Sequence, residues 1–185
     1  MTRIIAGQAK GRRLAVPGAG TRPTSDRARE GLFNTLAATM PLDGARVLDL
    51  FAGTGAVGLE ALSRGAAAAV FVESNRRAVE VLRRNVETVG LPGARVVPAP
   101  VSRFLGDGPG EPFDLVFADP PYADGDDAVS GVLAALATAP WLAADALVVV
   151  ERSSRAVSAG WTDEWLTAVG EKRYGEALLW YGRRR

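Results

Sequence analysis

The sequence predicts an α/β protein on a doubly wound, mostly parallel sheet, and three observations predict it. From about residue 46 onward, short apolar runs alternate with amphipathic helical stretches, the rhythm of successive strand–helix–strand units. The run Val47-Leu48-Asp49-Leu50-Phe51-Ala52 passes directly into Gly53-Thr54-Gly55-Ala56-Val57-Gly58, a buried strand followed by a glycine loop and a helix. Past residue 151 the helical rhythm stops, and Trp165 to Arg173 and Ala177 to Tyr181 read as two strands joined around Tyr174-Gly175-Glu176. Such a C-terminal hairpin, with one strand inserted antiparallel, completes a seven-stranded sheet.

Each element follows from local chemistry. Residues 1–23 form a short, basic, glycine-rich N-terminal extension, with Arg3-Ile4-Ile5-Ala6-Gly7 and Arg13-Leu14-Ala15-Val16 as short strands of a hairpin. Pro17 to Pro23 make a loop. Residues 24–185 form the main domain. Thr24-Ser25-Asp26 caps its first helix, whose apolar stripe is Ala28, Leu32, Phe33 and Leu36. A linker at Pro41-Leu42-Asp43-Gly44 leads into the sheet. Strands are expected near 46–51, 69–73, 94–98, 113–118 and 146–151, and helices near 56–64, 75–89, 102–105 and 126–139. No internal repeat or low-complexity segment is present.

Composition excludes several chemistries. The chain has 185 residues, 48% of them hydrophobic, which suits one domain with a substantial core. It contains no cysteine and no histidine. Disulfides, thiolate metal sites, cysteine nucleophiles and histidine-dependent hydrolysis are therefore out, and no metal is expected. The net charge is only +1, but residues 1 to 30 carry seven basic side chains against two acidic ones. A further basic group lies at Lys172, Arg173, Arg183, Arg184 and Arg185. No apolar stretch reaches membrane-spanning length and no signal peptide is visible, so a cytoplasmic monomer is expected.

The most informative stretch is Asp119-Pro120-Pro121-Tyr122, directly after the apolar run Phe113 to Ala118. Two prolines lock an extended turn and remove two N–H donors. An acceptor carboxylate and an aromatic face are thereby held side by side, an arrangement suited to an exocyclic amine on a planar base. The glycine loop alone is less specific. Its spacing, with Glu73 about twenty residues beyond Gly53, also fits a nicotinamide-binding domain in which Glu73 holds ribose hydroxyls. Asp49 separates the two readings. A carboxylate just before the loop is a poor neighbour for a pyrophosphate, whereas S-adenosylmethionine offers a sulfonium and an ammonium there. The chain is therefore similar to Rossmann-like class I S-adenosylmethionine-dependent methyltransferases that act on amines.

Several further segments narrow the resemblance. Arg3-Ile4-Ile5-Ala6-Gly7, Lys10-Gly11-Arg12-Arg13-Leu14 and Arg22-Pro23-Thr24-Ser25-Asp26-Arg27 with Glu30 and Leu32-Phe33-Asn34 resemble the signatures of the RsmD-type 16S rRNA guanine-N2 methyltransferases. The glycine loop and the Asp119 turn occur in many methyltransferases; the N-terminal arginine–glycine stretch carries the family. The resemblance covers nearly the whole chain. It implies transfer of a methyl group from S-adenosylmethionine, leaving S-adenosylhomocysteine, to the N2 amine of one guanine (position 966 in that family). The substrate would be 16S rRNA in an assembled or assembling 30S subunit.

On this reading Asp49, Phe51, Ala52, Gly53, Thr54, Gly55, Glu73, Ser74, Val101 and Asp119 bind or border the cofactor. Asp49 orders the loop and faces the methionine ammonium, and Glu73 accepts from the ribose hydroxyls. Ser74 and Asn75 either contact adenine or cap the next helix. Many relatives place a polar residue after the third strand to hold the adenine amine. Here Val97-Pro98-Ala99-Pro100-Val101-Ser102 leaves adenine to backbone groups, with Val101 as an apolar wall. Asp119, Pro120, Pro121 and Tyr122 form the catalytic turn: Asp119 accepts from the target amine and Tyr122 stacks on the base, which must leave its own stack. Arg3, Lys10, Arg12, Arg13, Arg22 and Arg27 are read as phosphate contacts, the alternative being a solvated charged face. Trp141, Trp161, Trp165 and Trp180 are read as packing residues. A DNA adenine-N6 or protein glutamine methyltransferase would use the same turn, and a ribosome-associated binding module could keep the same fold without activity.

Overall fold

The computed structural model describes residues 2–17, 26–108, 110–121, 125–138, 140–153 and 165–185. A small hairpin of β1 (Thr2–Arg3) and β2 (Arg13–Leu14) precedes helix α1 (Asp26–Thr39). There follow β3 (Arg46–Leu50), α2 (Ala56–Ser63), β4 (Ala68–Glu73), α3 (Arg76–Val89), β5 (Ala94–Pro98) and α4 (Val101–Gly106). The chain ends with β6 (Phe113–Ala118), α5 (Gly125–Thr138), β7 (Leu142–Ser153), β8 (Leu166–Tyr174) and β9 (Ala177–Arg184).

Strands β3 to β9 form one seven-stranded sheet in the order β5-β4-β3-β6-β7-β9-β8. β3 to β7 pair in parallel, and β9 inserts antiparallel between β7 and β8, as the C-terminal pattern predicts. Side chains alternate between the two faces along each strand. Val47, Phe71, Leu115, Phe117, Leu147 and Val149 pack on one face with residues of α1 and α2. Leu48, Leu50, Val70, Val72, Val116, Val148 and Val150 pack on the other with Val101 and Leu105 of α4 and Val132 and Leu133 of α5. Both faces are covered, which is why these strands read as nearly continuous apolar runs.

Strand β7 begins at Leu142, earlier than the expected 146. Leu142 already pairs with Phe113, but the register shifts before Leu115, and Asp145 takes a positive φ of 60°. That irregularity interrupts the alternation on which the sequence boundary relies.

The basic extension is not an appendage. Ile4, Ala9 and Leu14 lie in the same core cluster as Leu59 and Leu62 of α2. Its turn at Gly7 has φ 81°, and a Cβ there would lie 1.7 Å from the Ser63 carbonyl oxygen, so only glycine fits this crossing over α2. By packing, residues 2–17 are continuous with the domain that composition separates from them. Among the described residues no helix is long and apolar enough to cross a membrane.

Candidate active site

Strand order reverses between β3 and β6: β4 and β5 lie to one side of β3, and β6 and β7 to the other. A crevice opens beyond the carboxyl ends of strands at such a switch point. The two motifs from the sequence meet there, because the glycine loop follows β3 and the Asp119 turn follows β6. The Asp119 N–H reaches the Leu50 carbonyl across 3.4 Å, so the two strand ends leave the sheet together.

The loop is shaped by one carboxylate from each of two strands. Gly55 begins α2 with φ 76° and has no side chain to satisfy the helix's free N–H groups. Asp49 does this instead, its Oδ2 accepting from the Gly58 N–H at 3.0 Å. A Cβ on Gly55 would lie 2.2 Å from Leu82 Cδ1, so the loop can pack on α3 only with glycine at this position. On the other side Glu73 accepts from Gly53 N–H at 2.9 Å and from Asn75 N–H at 2.7 Å. Phe51 is held at φ 60°, a conformation that a bulky residue adopts only when its surroundings impose it.

These carboxylates strain one another. Burial raises the Asp49 pKa to about 7, against the opposing pull of the Gly58 hydrogen bond; the charge on Glu73 raises it further. Asp119 is also pushed well above the ordinary carboxylate range, first by burial and then by the charges of Glu151 and Asp49. A cation in the crevice would relieve this repulsion. The site is thus organised around an absent positive charge, next to a strand end that offers a hydrogen-bond acceptor.

Family comparison agrees with this geometry. The family described as Conserved hypothetical protein 95 matches residues 2–183. Ribosomal RNA small subunit methyltransferase D of Escherichia coli (strain K12) is 45% identical over 150 residues, covering 80% of this chain and 73% of the relative. The chain belongs to the family of ribosomal RNA small subunit methyltransferase D. The Haemophilus influenzae member is 38% identical over 154 residues, covering 80% of this chain and 77% of its own length. A solved Escherichia coli structure assigned as a methyltransferase, yhhF, superposes with a TM-score of 0.85 at 39% identity, covering 100% of this chain and 98% of that one. The fold is that of the class I S-adenosylmethionine-dependent methyltransferases.

The remaining residues expected at the site in this methyltransferase D relative fall as follows. Ala52 and Thr54 are buried in the loop, Gly53 is half-buried, and Val101 is buried at the start of α4. Ser74 is exposed, and Asn75 caps α3 by accepting from Ala78 N–H at 3.1 Å. Pro120 is buried and Pro121 exposed, while Tyr122 lies outside the described residues, as do Arg22 and Trp161. Trp141 packs with Phe104 and Phe113, and Trp180 is buried with its indole N–H on Glu171.

The basic residues divide into two groups. Arg3, Lys10, Arg13 and Arg27 are exposed. Arg12 donates instead to the carbonyls of Thr88 and Val89 at the end of α3, where a cation complements the helix dipole. Arg29 is fully buried, donating to Thr2 Oγ1, the Arg3 carbonyl and Asp26. At the C-terminus Arg183 donates to the carbonyls of Asp145 and Thr39, and Arg184 to that of Leu142. Much of the basic charge at both ends therefore holds the fold.

Three residues escape the sequence reading. Glu60, buried in the apolar helix α2, accepts from Ile5 N–H at 2.7 Å, Ala6 N–H at 2.9 Å and Arg64 Nε at 2.8 Å, and so fastens the hairpin. Asn85 bonds Ala15 in both directions and donates to the Thr54 carbonyl at 2.9 Å, joining hairpin and glycine loop. Glu151 is buried at the end of β7. The available signal is the same each time: one polar side chain on an otherwise apolar face, as Asn85 between Leu82 and Val89 on α3.

Proposed function

We propose that this protein transfers a methyl group from S-adenosylmethionine to the exocyclic N2 of one guanine in 16S rRNA, at position 966 by its family resemblance. The observation that carries this reading is the meeting of Asp49 and Asp119 at the switch point. Asp49 suits a cationic methionine moiety, and Asp119 suits an amine brought against it. The cofactor would lie along the glycine loop, with the free lone pairs of Glu73 directed at ribose hydroxyls and Val101 against the adenine.

The guanine amine is conjugated and poorly nucleophilic, so orientation and charge placement must supply most of the acceleration. Its nitrogen lone pair attacks the sulfonium methyl, a C–N bond forms, and the C–S bond breaks to give neutral S-adenosylhomocysteine. The proton leaves the amine afterwards, to Asp119 or to water. Pro120 and Pro121 hold the turn, and Tyr122 would stack on the extruded base. An rRNA substrate within a 30S particle, a cytoplasmic setting and a monomeric enzyme complete the reading. The deciding experiment is transfer of labelled methyl to 30S particles from a methylation-deficient strain, followed by mapping. Label on guanine N2 at a single position is expected; label on adenine N6 or on protein would replace this reading.

Glu73→Ala is expected to weaken S-adenosylmethionine by about 1.5–3 kcal/mol, the range for a hydrogen bond to a charged group. Part of that loss belongs to the Gly53 and Asn75 N–H groups that the same carboxylate holds. Unchanged affinity by calorimetry would move the ribose elsewhere.

Residues 1–23 are proposed to dock RNA through exposed charges. Arg3, Lys10 and Arg13 replaced together by alanine should raise the apparent KM for 30S particles and flatten its salt dependence, because fewer counterions are released on binding. Arg12 is left in place because it caps α3. Cofactor affinity should hardly change. A wild-type KM and salt slope would show that the hairpin surface takes no part in docking.

A further inference from the structure

Strands β6 and β7 run in parallel register, with Phe117 opposite Val149 and Ala118 opposite Val150. One residue further, Asp119 and Glu151 leave the sheet side by side. Alternation places Glu151 on the same face as Val149, the face that also carries Asp49 between its β4 and β6 neighbours Phe71 and Phe117. Glu151 is only 5% exposed and ends the apolar run Val148-Val149-Val150, a position where a carboxylate is costly to bury. Its charge is felt by the Asp119 carboxyl. The mechanism above gives it no part.

We propose that Glu151 is the second acceptor of the target-base pocket, taking the N1–H of guanine while Asp119 takes the N2 amine, and thereby selects guanine. The inference rests on the guanine-N2 reading of the site. Neighbouring strands lie about 4.8 Å apart, so side chains from adjacent strand ends can converge on one edge of a planar base. The Watson–Crick edge of guanine carries two adjacent donors, N1–H and the N2 amine, and an extruded base is read along that edge. A carboxylate only accepts, so two of them complement two donors. Adenine and 2-aminopurine present a bare N1 lone pair at the same place, which would face Glu151 acceptor to acceptor. Selection of this kind is strong, because a site built for a hydrogen bond leaves its own group unpaired with the wrong ligand.

The test uses 30S particles reconstituted with 16S RNA bearing either guanine or 2-aminopurine at the mapped position. Both bases offer a 2-amine, and only guanine has N1–H. The wild-type protein is expected to prefer guanine by at least about a hundredfold in kcat/KM, and Glu151→Gln, whose amide can also donate, should bring the two within about tenfold. Glu151→Ala serves if the glutamine variant does not fold, with S-adenosylmethionine affinity as the check on both. An unaltered base preference in the folded variants overturns the proposal, since a carboxylate with a merely structural role would lower both rates together. A wild-type protein that accepts both bases equally also overturns it, while leaving guanine-N2 methylation intact. Failure of the wild-type protein to modify guanine N2 at all would instead locate the fault in the reading on which the proposal rests.

Discussion

Asp119→Ala is expected to slow methyl transfer by at least about a hundredfold while leaving S-adenosylmethionine affinity nearly unchanged. Asp119 leaves β6 beside the loop, and neither carboxylate that shapes the loop depends on it: Asp49 is held by Gly58, and Glu73 by Gly53 and Asn75. Its proposed partner is the target amine, so the loss should fall on kcat. A pH profile adds a second readout. Burial and the charges of Glu151 and Asp49 raise the Asp119 pKa well above the usual value, and a raised acid is ionised only above that raised pKa. kcat/KM should therefore climb with pH through a range above that of an ordinary aspartate, and Asp119→Asn should remove that climb. Near-normal turnover of the alanine variant would take Asp119 out of the mechanism.

Glu60→Ala should cost about 3–5 kcal/mol of stability, the range for removing one partner of a buried charged pair. Glu60 and Arg29 are both fully buried, with Arg29 Nε 3.9 Å from Glu60 Oε2. Without the carboxylate, the Ile5 and Ala6 N–H groups lose their acceptor and the Arg29 guanidinium keeps its charge in the interior. Glu60→Gln keeps acceptors for the hairpin and should cost less. Denaturant unfolding of the two variants separates the contributions. A change below about 1 kcal/mol in Glu60→Ala would mean that the hairpin stays docked without it. Because Asn85 links Ala15 to Thr54, a loosened hairpin should also disturb the glycine loop.

The strands and helices of the domain were legible because their signals are local. Periodicity places α3, whose buried positions Ala78, Val81, Leu82, Asn85 and Val89 follow helical spacing. Continuous apolar runs mark β3, β4 and β6, and the change of pattern after residue 151 marks the antiparallel insertion of β9. Asp49, Glu73 and Asp119 stand out for a related reason: each is a charge at the carboxyl end of an apolar strand, and in this topology those ends converge.

Tertiary structure alone decided how the charges are used. Residues 1–17 look like a solvated basic arm when their charges are counted, yet Ile4, Ala9 and Leu14 are core, Arg12 caps a helix some seventy residues away, and Glu60 supplies the acceptors for their backbone. Glu151 reads simply as the polar end of β7 until strand register sets it beside Asp119. Composition and periodicity report whether a side chain prefers water or the interior along one element. A hydrogen bond or a charge pair depends on which other element arrives opposite it, and that meeting exists only once the chain has folded.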